Sequence, residues 1–267
     1  MTLGIEMAER GLLPDPLIRH GIRRLLRQRI ESESRRHADR EAALAGFVRD
    51  MERSEVAPLP ELPNRQHYEL PAAFFRAVLG RQMKYSSAYW PDGVDSLDAA
   101  EEAMLRLTAD RAELSNGQRI LELGCGWGSF TLHAASRFPG ARVVGVSNSA
   151  SQRDHILEQA ARRGLGNVEV ITADMNGFAP EGTFDRVVSV EMFEHMRNWP
   201  EVLRRVRGWL EPGGRLFVHV FAHRRFAYPF EDRAADDWMG RHFFTGGIMP
   251  ADDLLPRVRG PMRLEAH

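Results

Sequence analysis

Apolar positions along the chain fall into two different periodicities. In the first quarter they recur at helical spacing. Ile18, Ile22, Leu25, Leu26 and Ile30 share one face of a segment that opens with Asp15-Pro16, a helix N-cap followed by proline at the first helical position. Leu44, Phe47, Val48 and Met51 make a second such stripe. From residue 119 the pattern changes to short continuous apolar runs, at 119–123, 142–146, 168–172, 184–190 and 215–220. Helical spacing fills 129–137, 150–163 and 200–210 between them, and Asn116-Gly117, Gly164 and Glu211-Pro-Gly-Gly214 punctuate the series. This alternation predicts an α/β fold, a doubly wound and mostly parallel sheet with 119–123 at its centre. Ligands bind such sheets beyond the carboxyl ends of the strands. Ser147, Asp174, Glu191, Glu194 and His219 all fall at or just past those ends.

Ala57-Pro-Leu-Pro-Glu-Leu-Pro63 reads as a stiff extended linker, because each proline biases its predecessor away from the helical region. It divides the chain into an N-terminal helical cap with its linker, 1–63, and a sheet domain, 64–267. The sheet domain opens with Asn64-Arg-Gln-His-Tyr68, a helical stretch over 72–79 and the aromatic run Met83-Lys-Tyr-Ser-Ser-Ala-Tyr-Trp90. Ser96 then caps a helix that leads into the central strand.

Charge changes this picture little. Net charge is -1, with 43% hydrophobic and 27% charged residues, so nothing pulls the chain as a whole toward nucleic acid. Arg19, Arg23, Arg24, Arg27 and Arg29 would suit an anionic membrane surface or an acidic partner. The acids that follow, Glu31, Glu33, Asp39 and Glu41, favour a solvated charged face, and peripheral membrane contact stays compatible with either reading. There is no transmembrane run and no signal-peptide core, and the single cysteine, Cys125, can form no internal disulfide; the cytoplasm is the simplest address. Cys125 is read as a small side chain in a glycine turn, and no metal site is read.

The candidate chemistry begins at Glu122-Leu-Gly-Cys-Gly-Trp-Gly128, where a strand runs into three alternate glycines and then a helix. Glycine lets the backbone turn and lets a ligand reach the main chain, and the helix N-terminus favours negative charge. A dinucleotide site spaces its glycines G-x-G-x-x-G and carries an acid after the second strand. Here the third glycine comes one residue early, and the second strand runs into Ser147-Asn148-Ser149. The spacing resembles instead the first motif of class I S-adenosylmethionine (SAM) methyltransferases, which are Rossmann-like.

Further blocks resemble one family of these, the cyclopropane fatty-acid synthase superfamily. They are Lys84-Tyr-Ser-Ser-Ala-Tyr89, Gly145-Val-Ser-Asn-Ser-Ala-Ser-Gln152 and Phe193-Glu-His195. Val190-Glu-Met-Phe-Glu-His-Met-Arg-Asn198, Phe226-Ala-Tyr-Pro-Phe-Glu231 and Asp236-Asp-Trp238 are most similar to the coclaurine N-methyltransferase branch. The resemblance implies that Tyr85 and Ser86 close over the methionine end of the cofactor, with Glu122, Gly124 and Gly126 of the glycine motif. It places Ser147, Asn148 and Gln152 on the ribose side, Asp174 and Met175 at the adenine, and His219 and Trp238 on the substrate side. Asp174 also suits a plain turn residue. The lipid-modifying members carry a small residue at the position of Glu191 and hold bicarbonate with residues matching Glu194 and His219 and a C-terminal tyrosine. That tyrosine has no counterpart here. Met262-Arg-Leu-Glu-Ala-His267 resembles the start of the penultimate strand, so the sheet is expected to lack its last strand and the chain to be C-terminally truncated.

Methyl transfer to an amine needs alignment and a proton acceptor, since the amine arrives protonated. Glu194 with His195 is the expected general base, and Glu191, three residues earlier, the expected attractor of the ammonium. The expected activity is N-methylation of a small-molecule amine. The alternatives are methylenation of unsaturated acyl lipids and a SAM-binding fragment without turnover.

Overall fold

The computed structural model describes residues 3–59, 70–231, 237–258 and 260–267. The end of the linker with the boundary at 63, the stretch 64–68 and Asp236 lie outside the described residues. Strands β1 (Arg119–Leu123), β2 (Arg142–Ser147), β3 (Val168–Thr172), β4 (Phe184–Val190) and β5 (Leu210–His219) form one parallel sheet in the order β3-β2-β1-β4-β5. The expected central strand is central: Leu121 of β1 pairs with Val144 on one side and Val187 on the other. The winding therefore reverses between β1 and β4, which opens a crevice at their carboxyl ends.

Because successive strand residues point to opposite faces, one run of apolar residues serves two cores. Leu121, Leu123, Val144, Val146 and Val187 share a buried cluster with residues of α3 (Arg40–Glu52) and α8 (Trp199–Trp209). Ile120, Val143 and Val188 face α5 (Leu97–Arg111) and α6 (Ser129–Arg137), and α7 (Ala150–Arg162) covers Val170. The remaining elements are α1 (Leu3–Glu9), α2 (Asp15–Arg36), α4 (Ala72–Val78), α9 (Trp238–His242), α10 (Leu254–Arg257) and a short antiparallel pair, β6 (Tyr228–Pro229) with β7 (Ile248–Met249).

Three expectations change. The turn Glu211-Pro-Gly-Gly214 is absorbed into β5: Leu210 already pairs with Phe184, and the register then jumps so that Arg215 meets Arg186. Gly213, at φ +80°, supplies the left-handed residue that this irregularity needs. At the C-terminus, 262–267 forms no strand; Glu265 instead pairs with Arg215 of β5 at 3.1 Å. In the cap, the apolar stripe of α2 is not seated, since Ile22, Leu25, Leu26 and Ile30 are exposed. Its buried residue is Glu33, which meets Arg36 at 3.2 Å and Arg29 at 3.5 Å. The helix that docks is α3. Asp39 caps it by accepting from Ala42 N, and Leu44 and Met51 are buried in the same cluster as Val202 and Val206 of α8.

The cap helix and the sheet thus share one core, so they should unfold together. Leu44 is fully buried. Truncation to alanine removes that packing and leaves a cavity, and is expected to cost about 2–5 kcal/mol. Denaturant titration of Leu44→Ala should show one transition at a lower midpoint. A separate early transition, with the main midpoint unmoved, would mean that α3 is an independent unit.

Candidate active site

The crevice between β1 and β4 holds a cleft of about 490 Å³, with a narrower extension of about 90 Å³ toward β2 and β3. Gly124, Gly126, Glu191 and His195 line both parts. The three glycines of the loop have different physical reasons. A Cβ on Gly124 would lie 2.8 Å from Met192 Cβ, and one on Gly128 2.5 Å from Ile156 Cγ1, so both are packing requirements. Gly126 has φ +51° and nothing within 4 Å of the space a Cβ would take. That is the position where a ligand can come up to the main chain.

Beneath the loop, Glu122 is buried and accepts a hydrogen bond from the Thr131 hydroxyl of α6. Burial pushes its carboxyl up to about 7, against the opposing pull of the Thr131 bond and the Lys84 charge. Lys84 enters the cleft from a loop held in an unusual way. The buried carboxylate of Glu101 accepts from Gly80 N at 2.9 Å and Gln82 N at 3.0 Å. Met83 is left-handed at φ 50°, a conformation that costs a non-glycine residue about 1 kcal/mol or more. Tyr85 packs edge-on against Phe75 at 5.6 Å, and Ser86 accepts from Lys84 Nζ at 2.5 Å.

Past β4 the backbone is strained again, with Glu191 left-handed at φ 53°. Its N–H donates to His219 O at 2.8 Å, and its Oε1 lies 3.6 Å from His219 Nε2. A single 3₁₀ turn, Phe193–His195, then buries Glu194 and leaves its Oε2 without a hydrogen-bond partner. Burial first, and then the neighbouring Glu191, raise the Glu194 carboxyl well above the usual range. Of the two carboxyls Glu194 is the buried one, and Glu191 stands part-exposed near it. His195 is part-buried and stacks on Phe244 at 5.3 Å. Burial also lowers the His219 imidazole, although Glu191 opposes the shift.

At the β2 end, Ser147 Oγ donates to Gln152 Oε1 at 2.6 Å, and the Gln152 amide nitrogen is buried with no partner. Asn148 and Met175 line the extension beside them. Asp174 forms an Asx turn, accepting from Asn176 N at 2.8 Å, so it is a turn residue at the rim of the extension. Asn176 also exchanges hydrogen bonds with Ala57, at 3.0 and 2.8 Å, and Arg205 of α8 donates to the carbonyls of Met175 and Asn176 at 2.8 Å.

The fold therefore gathers Tyr85, Ser86, Glu122, Gly124, Gly126, Ser147, Asn148, Gln152, Asp174, Met175, Glu191, Glu194 and His195 about one crevice, with His219 against Glu191. Trp238 does not join them. It sits on α9, 38% exposed, and its indole N–H donates to Glu9 at 2.9 Å. The wall on that side is built by Phe221, Phe243 and Phe244. These, and the tie at Asn176, were missed because they come from loops without a motif. Lys84 opens the stretch Lys84-Tyr-Ser-Ser-Ala-Tyr89, where a lysine amid aromatics is the available signal. Cys125 is buried and its thiol is pushed well up, which removes a nucleophilic role. Among the described residues no three His, Cys, Asp or Glu are placed to hold a metal ion, and no helix is long and apolar enough to cross a membrane.

A family model described as mycolic acid cyclopropane synthetase matches residues 61–258. The chain belongs to this family. It is 36% identical over 246 residues to an (S)-coclaurine N-methyltransferase of Thalictrum flavum subsp. glaucum, covering 92% of this chain and 68% of that protein. To pavine N-methyltransferase of the same plant it is 35% identical over 254 residues, covering 94% and 71%. A crystal structure of coclaurine N-methyltransferase bound to N-methylheliamine and SAH superposes with a TM-score of 0.90 at 35% identity, covering 95% of this chain and 74% of that one. The chain is accordingly of the SAM-dependent methyltransferase class.

The site fits that cofactor on its own terms. Open space faces the Gly126 backbone, and the Gln152 amide is an orphaned buried donor in the extension. Gly126→Val should fill the approach and abolish binding of S-adenosylhomocysteine by calorimetry while the circular dichroism spectrum persists. Retained affinity would place the ligand elsewhere. A second expectation concerns Glu122, whose folded carboxyl lies above its unfolded value. Its contribution to stability is therefore present at low pH and lost as pH rises toward about 7. Relative to the parent, Glu122→Gln should gain stability between about pH 5 and about pH 8 in denaturant titrations. A loss over that range would mean that Lys84 holds Glu122 as an anion.

Proposed function

We propose that the chain methylates the nitrogen of a small-molecule amine, using the Glu191–Glu194 pair to take up the proton that the amine sheds. The observation that carries this reading is the pair itself. Two neighbouring carboxyls lie at a strand end, beside His219 and in one cleft with a wall of Phe221 and Phe244. An acidic pair attracts an ammonium group, and aromatic walls suit an amine carried on an apolar or aromatic frame. The N-methyltransferase relatives agree with this chemistry.

Tyr85, Ser86 and Gly126 would hold the methionine end of the cofactor, Ser147, Asn148 and Gln152 the ribose, and Asp174 and Met175 the adenine. Gly124 acts by packing under the loop. When bound, the cofactor would supply an electrophilic sulfonium methyl group, whose S–C bond would be exchanged for the new N–C bond. The chain's own part is to align the amine, exclude water and receive one proton. The burial of Glu194 supports a division of labour other than the one expected from sequence. A carboxyl held protonated serves as a donor, steadying Glu191, and Glu191, part-exposed at the cleft, takes the proton. His195 orients the segment through its stack on Phe244.

The test is a pair of conservative variants. Glu191→Gln should lower kcat by about 10²-fold to 10⁴-fold on an identified benzylic or tetrahydroisoquinoline-type amine, with partial rescue as pH rises and more substrate is neutral. Glu194→Gln keeps a donor and should lose less. A larger loss for Glu194→Gln would return the base to Glu194. Methyl incorporation into unsaturated phospholipid vesicles but not into any amine would replace the proposal with lipid methylenation. SAM binding with no transfer to either would leave a binding protein.

A further inference from the structure

Lys84 lines the cleft with three carboxyls, Glu122, Glu191 and Glu194, and the roles proposed above leave it unused. It is 4% exposed. Its ammonium donates to Ser86 Oγ at 2.5 Å and makes no ion pair among the described residues. Glu101 on α5, Glu122 on β1 and Glu191 beyond β4 act on it only from farther off, and His219 on β5 feels its charge. A buried ammonium with one neutral acceptor is costly to maintain, and burial draws it down to about 8 against the pull of those three carboxyls. The fold nevertheless spends a left-handed Met83 and the buried Glu101 clamp to aim this side chain inward. Trp127 packs with Phe75 and Met83, lines the same cleft, and buries an indole N–H that has no partner. A buried ammonium whose one acceptor is neutral and an indole N–H with no acceptor, both lining the cleft with the glycine loop, describe a seat for an anion.

We infer that Lys84 is the counter-ion of the cofactor's methionine carboxylate, with Ser86 as its relay and Trp127 as a neighbouring donor. The inference rests on the cofactor reading above. That carboxylate is the anionic group a SAM molecule brings, and the Lys84–Ser86 pair lines the same cleft as the open backbone at Gly126. The competing account makes Lys84 a plain neutraliser of Glu122 and Glu191, which would leave the cofactor's acid group without effect on it.

Calorimetry with two ligands separates these accounts. One is S-adenosylhomocysteine; the other is S-adenosyl-3-thiopropylamine, which lacks only the carboxylate. The parent should prefer S-adenosylhomocysteine. Lys84→Met should weaken that ligand by about 10-fold to 100-fold, as expected for a buried charge-assisted hydrogen bond, and change the carboxylate-free ligand by less than about 3-fold. Equal losses for both ligands, or no loss for either, would overturn the assignment. Should Lys84→Met fail to fold by circular dichroism, the parent alone decides. Its preference for the carboxylate ligand should shrink as pH rises from about 7 to about 9 and the ammonium is lost, and a flat ratio would overturn the assignment. A parent that binds neither ligand would refute the cofactor reading itself. A parent that binds both ligands equally would refute the Lys84 assignment and leave the cofactor reading standing.

Discussion

A cleft that gathers three carboxyls, two of them buried, about one buried ammonium can exist in only a few protonation states, and the rest of the site depends on that constraint. Glu122 is held at about 7 and Glu194 well above the ordinary range, both chiefly by loss of water. Lys84 is drawn down by the same cause. Loss of water thereby opposes full charge on each of these groups before ligands arrive. The arrangement suits a site that must receive a cationic cofactor and shed a proton from a substrate.

Backbone strain marks the same place. The described non-glycine residues with positive φ are Met83, Glu113 and Glu191, and two of these three flank the cleft. Met83 aims Lys84 and Glu191 aims the carboxyl pair. Met83 is held through the bonds of Gly80 and Gln82 to Glu101, and Glu191 through its own N–H to the His219 carbonyl. Strain of this kind persists only where surrounding structure over-determines it.

The cap is wired into the site through its C-terminal end. Asn198 donates to the carbonyls of Glu52 and Ser54, Arg197 N donates to the carbonyl of Val56, and Asn176 grips Ala57. Arg197 and Asn198 follow directly on the carboxyl pair, while Asn176 sits by the Asp174 turn. Packing of α3 on α8 therefore supports both ends of the cleft at once. The exposed stripe of α2 contributes nothing to that support.

Local pattern alone determined the strands, the helices between them and the parallel winding, because a buried parallel strand must be a short apolar run and each run here is bounded by glycine, proline or asparagine. It also determined which residues gather, since strand ends in a doubly wound sheet converge whatever the side chains are. What the sequence could not decide was which apolar stripe finds a partner, so α2 and α3 looked alike and only α3 docks. Nor could it distinguish Gly124 and Gly128, which are small because Met192 and Ile156 press on them, from Gly126, which faces open space. The proposed assignment of base and donor between Glu191 and Glu194 rests on the tertiary structure as well. It depends on which carboxyl loses its water, and burial is set by residues far away in the chain.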